Sequence, residues 1–256
     1  MVVSSGLAKR VIPTVLLDGK RLVKGVRFSD FREAGLAKST LRVLNAQEPD
    51  ELLIINISKT HSDFETAEEI IIEAVRECEV PVTVGGGIKS IQDAEKFFQA
   101  GVEKVLVTTS IIDDPSLITR LAMRFGSQAV IAGVEFTTVS GLVVRCSHGG
   151  RELVKGDLEL AIGDIQTRGA GEILLLDVQN DGIRSGLNVD FLGPISSSSL
   201  IPVIGMGGVG NFAHLVEGFQ RGALDGIACG TLFTFGDNNP IRARAYLNNQ
   251  GVRVRS

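Results

Sequence analysis

The chain of 256 residues is 44% hydrophobic, enough for the core of one large domain, and its net charge of −4 comes from scattered charges of both signs. Without a basic stripe or a tryptophan, and with a single tyrosine, it lacks the surface of a nucleic-acid-binding protein. Because its cysteines and histidines are dispersed and no apolar run reaches about 18 residues, we expect a cytoplasmic protein with no disulfide framework, metal, cofactor or membrane segment.

Short apolar runs recur along the chain, each about as long as a strand that is buried on both faces. They predict strands at Val11–Leu17, Leu52–Ile57, Val80–Val84, Val105–Thr109, Ala129–Val134, Ile173–Val178, Ile201–Met206 and Gly226–Gly230. Amphipathic segments between them predict helices at Phe64–Glu79, Ile91–Ala100, Pro115–Phe125, Asp157–Arg168 and Phe212–Arg221. The pair Asp114-Pro115 and the residue Asn211 have the character of N-cap signals at helix starts.

Eight strand–helix units in a chain of this length indicate a single (β/α)₈ TIM barrel. Two polar, glycine-containing insertions interrupt the pattern, at Asp18–Gly25 after the first predicted strand and at Thr137–Gly156 after the fifth. Because both follow strands, we expect them on the C-terminal face of the barrel, where barrel enzymes carry out their chemistry.

The chain also repeats itself at an offset of 121 positions, which relates Glu51–Ile55 to Glu172–Leu176, Pro81 to Pro202 and Gly86 to Gly207. A constant offset is typical of two copies of one half-sized block. No linker rich in proline or serine separates the copies. We therefore predict one barrel spanning residues 1–256, made of half-barrels at about 1–125 and 126–256.

The repeated glycine turns predict two phosphate sites. A glycine turn before a helix lets backbone N–H groups approach a phosphate, and barrels often hold one in the loops after the seventh and eighth strands. The predicted phosphate-binding residues are Gly86, Gly87, Thr108 and Thr109 in the first half and Asp181, Gly182, Gly207, Gly208, Gly230 and Thr231 in the second. The alternative is that these glycines only permit tight turns with positive φ. Paired turns at matched places favour a ligand with two phosphates.

Several segments resemble the cyclase subunit of imidazole glycerol phosphate synthase. They are Leu7–Pro13, Leu22–Gly25, Thr83–Ile88, Pro115–Ile118, Phe125–Val130, Arg168–Leu175 and Asn249–Arg255, and they keep the family's order and spacing over essentially the whole chain. The resemblance implies a two-fold barrel that receives ammonia from a glutaminase partner through its core. At the C-terminal face, that family combines the ammonia with a bisphosphorylated ribulosyl-aminoimidazole intermediate, giving imidazole glycerol phosphate and a purine precursor.

The same resemblance implies roles for charged residues. Lys24 stands where the family uses a lysine of the first loop to engage the substrate, and Thr108 stands where it has an asparagine. The family closes the lower mouth of the barrel with a ring of salt-bridged charges that gates ammonia, and the glutaminase docks on this N-terminal face. Its positions read Arg10, Glu51, Lys104 and Glu172 in this chain, and Glu103 stands where the family has an acidic residue facing the glutaminase. The sequence does not separate a gate from a structural plug of paired charges.

The catalytic pair of the family departs from its pattern in this chain. The family places an aspartate on the first strand and another on the fifth, as general acid and base, and this chain has Leu16 and Glu135 there. A leucine cannot transfer a proton, so the resemblance leaves Glu135 as the acid or base. Asp18, on the same side of the strand as Leu16, and Asp177, where the family has a serine, are the candidates for a second catalytic partner.

Three functions therefore follow from the resemblance. The first is an ammonia-using cyclase or lyase that acts on a phosphorylated small molecule. The second is an ammonia conduit without cyclase activity, like a branch of the family associated with sugar amidation for surface polysaccharides, which also lacks the first aspartate. The third is the bisphosphate isomerase of the same pathway, which Leu16 and the charged ring disfavour.

Overall fold

The computed structural model describes residues 8–234 and 237–255, so Leu7, at the start of the first family-like segment, lies outside the described residues. Eight parallel strands form a closed barrel, in which each strand pairs with the next and the last pairs with the first. These barrel strands are β1 Arg10–Asp18, β2 Leu52–Asn56, β3 Val82–Gly85, β4 Lys104–Val107, β5 Val130–Val139, β6 Glu172–Asp177, β7 Val203–Met206 and β8 Gly226–Cys229. The single (β/α)₈ barrel expected from the sequence is confirmed.

Helices connect the strands and cover the outside of the barrel. Their bounds are Ala37–Asn45, His61–Glu77, Ile91–Ala100, Ser110–Asp113, Ser116–Phe125, Leu158–Thr167, Val189–Ser198, Phe212–Gln220, Thr231–Thr234 and Pro240–Asn249. The five predicted helices are confirmed. The helix Val189–Ser198 escaped prediction because Gly193, Pro194 and a run of serines are poor helix formers. Its buried Leu192 and Ile195 hold it against the barrel instead.

The helix-start signals have the expected geometry. The side chain of Asn211 accepts a hydrogen bond from His214 N at 3.1 Å, and Asp114 Oδ1 accepts one from Ser116 N at 3.1 Å. Each carboxylate or amide oxygen thus satisfies a backbone donor that has no partner inside its helix. None of the described helices is long and apolar enough to cross a membrane.

The two polar insertions are β-hairpins. β1 pairs antiparallel with Arg21–Val26, which pairs with Ser29–Leu36, and β5 pairs antiparallel with Leu142–Ser147, which pairs with Glu152–Leu153. The sequence analysis missed these strands because they are short and because charged residues such as Lys24 and Arg145 interrupt their apolar residues. Both hairpins stand at the C-terminal ends of β1 and β5, the positions expected for the insertions.

Apolar side chains form two core layers. Residues such as Val11, Val15 and Leu17 face the helices, whereas Ile12 faces the inside of the barrel. The inner layer is made of Ile12, Leu53, Leu106, Ile131, Cys146, Leu174, Leu176, Val178, Ile204, Met206 and Ala228. The alternation along β1 follows from the two-residue period of a strand. The inner layer therefore separates two polar regions, one at each end of the barrel.

Candidate functional site

A ring of four charged side chains closes the N-terminal end of the barrel. Arg10 Nη1 donates to Glu51 Oε2 at 2.7 Å, and Arg10 Nη2 donates to Glu172 Oε2 at 2.5 Å. Lys104 Nζ completes the ring, 2.9 Å from Glu51 Oε2 and 2.7 Å from Glu172 Oε1. The structure thus brings together the four residues that the resemblance marked as a gate, with opposite charges in alternation.

The electrostatics of this four-charge ring favour the ionised states of Glu51 and Arg10. Burial alone would raise the pKa of Glu51, but the charges of Lys104 and Arg10 and a hydrogen bond from Thr83 outweigh it and hold that pKa below its usual value. Burial likewise opposes the charge of Arg10, and the hydrogen bond and charge of Glu172 more than compensate, so the Arg10 pKa is raised. Thr83 Oγ1 donates to the remaining Glu51 oxygen at 2.5 Å. Each buried charge is therefore paired, as a stable interior site requires.

A large cavity of about 1180 Å³ opens at the other, C-terminal end of the barrel. Its lining contains Gly86, Gly87, Thr108, Thr109, Ser110, Asn56, Asp18 and Glu135, together with residues of both hairpins. We call it the main cavity. Its volume suits a substrate well above the size of a simple sugar phosphate. The predicted first-half phosphate residues and the predicted acid or base thus border one space.

The glycine turn after β3 can only be built from glycine. Gly86 and Gly87 have φ values of +90° and +73°, in the left-handed region. A Cβ on Gly86 would lie 2.0 Å from the Asn56 carbonyl oxygen, and one on Gly87 would lie 2.1 Å from the Phe64 ring. The turn therefore presents bare backbone to the main cavity, which suits a phosphate and also explains the glycines sterically.

The turn after β7 has the same construction. Gly207 and Gly208 have φ values of +108° and +99°. A Cβ on Gly207 would lie 2.4 Å from the Asp177 carbonyl oxygen, whereas a Cβ on Gly86 meets the carbonyl oxygen of Asn56, the residue 121 positions earlier than Asp177. The internal repeat is thus visible in equivalent backbone contacts. The boundaries of the half-barrels themselves stay a prediction.

The predicted second-half phosphate residues lie apart from the main cavity. Lys24 Nζ is 3.0 Å from both Asp181 carboxylate oxygens, and both side chains are buried. A Cβ on Gly230 would lie 3.6 Å from Lys24 Nζ, and one on Gly182 would lie 2.6 Å from the Gly25 carbonyl oxygen. The first hairpin therefore packs on these residues. Among the described residues, the lining of the main cavity includes none of Lys24, Asp181, Gly182, Gly207, Gly208, Gly230 and Thr231.

Thr231 is exceptional within this second group. Its Oγ1 is the one buried side-chain polar atom of the described residues that has no hydrogen-bond partner. A buried hydroxyl without a partner costs free energy, which makes Thr231 a candidate for contact with a ligand. Thr231 begins the short helix Thr231–Thr234 directly after Gly230, where the sequence predicted a phosphate.

Glu135 is buried near the top of β5 at the wall of the main cavity. Its Oε2 accepts a hydrogen bond from Gly149 N at 2.7 Å. Burial raises the pKa of Glu135 above its usual value, although the N–H groups of Gly149 and Gly150 oppose that effect. A raised pKa suits a carboxyl group that must both accept and return a proton near neutral pH.

The three other residues of the catalytic hypothesis have different environments. Leu16 is buried and contributes nothing to the lining of the main cavity, whereas Asp18 is exposed and lines it. Asp177 is buried, and its carboxylate accepts from Asn180 Nδ2 at 2.8 Å and from Asn180 N at 3.3 Å. Burial raises the pKa of Asp177 despite these bonds. Asp177 thus caps the turn after β6, and Asp18 is the one that shares a cavity with Glu135.

The structure adds residues that sequence reasoning missed. His148 and Arg151 of the second hairpin line the main cavity with Glu135. Their charges oppose, but do not cancel, the rise in the Glu135 pKa that burial causes. Phe28 of the first hairpin also lines it and packs on the inner core layer. The only sequence signal was their place in the two polar insertions. Within residues 8–234 and 237–255, no group of three or more His, Cys, Asp and Glu side chains is arranged to hold a metal ion.

A closed barrel with a charged ring at one end, and with glycine turns, hydroxyl groups and a buried carboxyl at the other, defines the class: a (β/α)₈ barrel with its largest described cavity at the C-terminal face. The chain belongs to the histidine biosynthesis protein family, whose model matches residues 10–239. It is 38% identical over 249 residues to the imidazole glycerol phosphate synthase subunit HisF of Chlorobium phaeobacteroides (strain BS1), covering 97% of this chain and 99% of that protein.

Two further relatives of the same description match over the same extent. The subunit of Chlorobaculum parvum is 38% identical and that of Pelodictyon phaeoclathratiforme is 37% identical, each over 97% of this chain and 99% of the relative. These matches confirm the family resemblance found in the sequence.

Proposed function

We propose that this chain is the synthase subunit of a cytoplasmic glutamine amidotransferase, of the imidazole glycerol phosphate synthase type used in histidine biosynthesis. It accepts ammonia from a glutaminase subunit at the N-terminal face and uses it in a cyclase/lyase reaction on a bisphosphorylated substrate at the C-terminal face. The observation that carries this proposal is the four-charge ring at one end of a barrel whose other end holds the phosphate-type turns. The family of the relatives supports the same reaction.

The interior of the barrel supports the ammonia route. Between the four-charge ring and the main cavity, the inner layer is apolar, with Ile12, Leu53 and Leu174 among its members. Neutral ammonia enters such a region more easily than ammonium does, because a buried unpaired charge is strongly disfavoured. Opening requires Lys104 or Arg10 to leave a carboxylate partner, so the ring couples ammonia entry to a change at the docking face.

The chemistry at the mouth falls to Glu135 and the phosphate-type residues. The turn Gly86-Gly87 and the hydroxyl groups of Thr108 and Thr109 hold one phosphate in the main cavity. Lys24, with Gly230 and the unpartnered hydroxyl of Thr231, holds the second after the Lys24–Asp181 pair rearranges. Glu135 then moves protons to and from the reacting nitrogen, and Asp18 is the second carboxyl group within the same cavity.

One observation favours the second candidate, an ammonia conduit that passes ammonia to a separate acceptor. Leu16 takes the place of the family's first aspartate, and its side chain is buried away from the main cavity. A conduit would keep the four-charge ring and the apolar interior but would not need two carboxyl groups. Sugar amidation in surface polysaccharide synthesis is the setting that the family offers for such a subunit.

A steady-state assay separates the two candidates. The purified chain is supplied with an excess of ammonium salt and the bisphosphorylated imidazole intermediate, and imidazole glycerol phosphate is measured. The synthase proposal expects turnover by the wild-type chain. No turnover by the wild type together with turnover by Leu16→Asp would leave the conduit as the function, since the restored carboxyl group would have repaired only the chemistry.

The four-charge ring has its own test. In a complex with the glutaminase subunit, Lys104→Ala should alter glutamine-dependent synthesis, while synthesis from ammonium salt stays at the wild-type rate. Lys96→Ala, which removes an exposed lysine paired with Glu68, is the matched control and should change neither. Equal glutamine-dependent rates in the Lys104→Ala complex and the wild type would remove the gate assignment.

A further inference from the structure

A second cavity, of about 260 Å³, lies beside the main cavity on the outer side of β5. We call it the side cavity. Its apolar wall is formed by Val134 of β5, by Ile111 and Ile118 of the helices after β4, and by Ala161 and Ile165 of the helix Leu158–Thr167. Its polar wall includes Arg145 of the second hairpin and Lys155, which follows that hairpin. The side cavity is thus a small apolar chamber with two cationic groups on one side.

The acidic residues of the side cavity already have partners. Asp164 accepts from Arg168 at 2.6 Å, on its own helix, and Glu135 accepts from Gly149 N at 2.7 Å. Within the described residues, neither carboxylate forms an ion pair with a cation of the side cavity. In that part of the chain, Arg145 and Lys155 therefore lack a carboxylate in direct contact.

Arg145 is the unusual member of this set. Among the described residues, no carboxylate forms an ion pair with Arg145 or with Lys155. Burial lowers the pKa of Arg145, and no neighbouring charge compensates. A partly buried guanidinium is normally paired with a carboxylate or phosphate, because its desolvation is costly and its fork of donors suits two oxygen atoms. A bound anion would supply the partner that Arg145 lacks.

We propose that the side cavity is a binding site for a small organic anion, with its carboxylate or phosphate on Arg145 and its apolar body between the two helices. A cavity of about 260 Å³ is slightly smaller than the roughly 300–1,000 Å³ of most small-molecule sites, so the anion must be compact. The apolar wall of Ile118 and Ile165 selects a compact ring or branched chain rather than a sugar. This site does not depend on the ammonia chemistry.

The side cavity shares walls with the main cavity. Thr108, Thr109 and Glu135 line both. An anion bound beside them changes the field at the first phosphate site, so its binding is coupled to that of phosphate in the main cavity. Two anions a short distance apart repel each other, and the coupling is therefore unfavourable.

The test uses two fluorinated probes of the same shape, 4-fluorobenzoate and its neutral amide, 4-fluorobenzamide, titrated into the whole chain and followed by ¹⁹F NMR. The wild-type protein should bind the benzoate, and the amide at least about tenfold more weakly, since a hydrogen bond to a charged group contributes roughly 1.5–3 kcal/mol. Arg145→Met, which keeps the apolar stem, should weaken benzoate binding by a similar factor. Ala161→Phe, which fills the chamber from its other wall, should abolish it.

Arg151→Met is the matched control, because Arg151 lines the main cavity and not the side cavity. The Arg151→Met variant should bind the benzoate with the same affinity as the wild type. Backbone amide shifts at Ala161 and Ile165 on saturation should place the probe against their helix. The inference is overturned if Arg145→Met binds the benzoate as tightly as the wild type does, or if the wild type binds the amide as tightly as the benzoate. It is also overturned if only Arg151→Met loses affinity for the benzoate, or if the wild type shows no benzoate binding up to the solubility limit of the probe.

Discussion

At the scale of single residues, the mouth of the barrel contains side chains that are poorly satisfied by the folded protein alone. Glu135 is a buried carboxyl group with a raised pKa, and Thr231 has a buried hydroxyl without a partner. Arg145 is a partly buried cation without a carboxylate. Such groups reduce stability, so their presence together on one end of the barrel indicates selection for binding rather than for folding.

Thr231→Val should separate the effect of the Thr231 hydroxyl on ligand binding from its effect on stability. The valine has the same shape without the hydroxyl, so the free energy of unfolding should rise, by up to about 1–3 kcal/mol for an unpaired buried polar group. Phosphate affinity, measured by calorimetric titration, should fall. Thr83→Val is the matched control and should lower the free energy of unfolding, because the Thr83 hydroxyl donates to Glu51 at 2.5 Å. A loss of stability in Thr231→Val would mean that its hydroxyl has a partner in the folded chain.

Glu135→Gln should reveal the raised pKa through the pH dependence of stability. A carboxyl group whose pKa is higher in the folded state than in the unfolded state makes the protein more stable at low pH than at high pH. This stability is lost as the pH rises from the ordinary glutamate pKa, about 4.3, through the pKa of the folded state. Urea denaturation from pH 4 to pH 8 should therefore show the wild type losing stability relative to Glu135→Gln as pH rises. If the difference in free energy of unfolding between the wild type and Glu135→Gln is constant over this pH range, the pKa of Glu135 is not raised by burial.

At the scale of elements, the two hairpins decide what the mouth of the barrel looks like. The first hairpin turns at Arg27 and Phe28, whose φ values of +54° and +53° lie in the left-handed region. Arg27 N donates to the Asp181 carbonyl oxygen at 2.8 Å, and the Phe28 ring lies 6.2 Å from that of Phe31 in an edge-on arrangement. Contacts across the mouth thus hold a turn that its own residues disfavour.

Arg27→Asn should relieve part of this strain. Asparagine adopts the left-handed conformation more readily, so the substitution should raise the free energy of unfolding by about 1 kcal/mol. Arg32→Asn, the same change within the ordinary extended part of the hairpin, should give no gain. Thermal and urea denaturation measure both variants. An equal effect at the two positions would show that the turn conformation is not the cause.

At the scale of the whole molecule, the four-charge ring connects β1, β2, β4 and β6 across the barrel axis. Its members come from positions as far apart in the chain as Arg10 and Glu172. Each is satisfied only when the barrel is closed. The four-charge ring is therefore a set of tertiary ion pairs that stabilises the closed N-terminal end of the barrel.

Glu51→Gln should be strongly destabilising at neutral pH, by about 3–5 kcal/mol, because it leaves Lys104 and Arg10 short of a buried partner. Glu77→Gln, which removes an exposed partner of Arg42, should cost less than about 1 kcal/mol. Since the pKa of Glu51 is lowered by folding, its contribution is present above the ordinary value and is lost as pH falls through the folded value. Denaturation curves measured at intervals from pH 7 down to pH 2 test both statements; equal costs for the two variants at pH 7 would contradict a paired, buried ring.

Much of the fold was predictable from the chain because it rests on local patterns. The apolar runs predicted at Leu52–Ile57 and Ile173–Val178 form the strands β2 and β6. Asn211 caps its helix by accepting a hydrogen bond from a backbone N–H three positions away. The hairpins were missed because charged residues interrupt the apolar residues of their strands, so no continuous apolar run marks them. For the candidate site, the predictable part was the set of residues that stands at strand ends, such as Glu135 and Thr109.

By itself, the sequence determined the barrel, its repeated glycine turns and the family, since periodicity, turn chemistry and similarity are properties of the chain. Only the tertiary structure decided which polar groups share a space. It placed Asp18 beside the main cavity and tied Asp177 into a turn. It also left Arg145 without a counter-charge, a fact that no spacing in the sequence records. The reason is physical: charge balance and burial depend on distances between segments, which exist only after the barrel has closed.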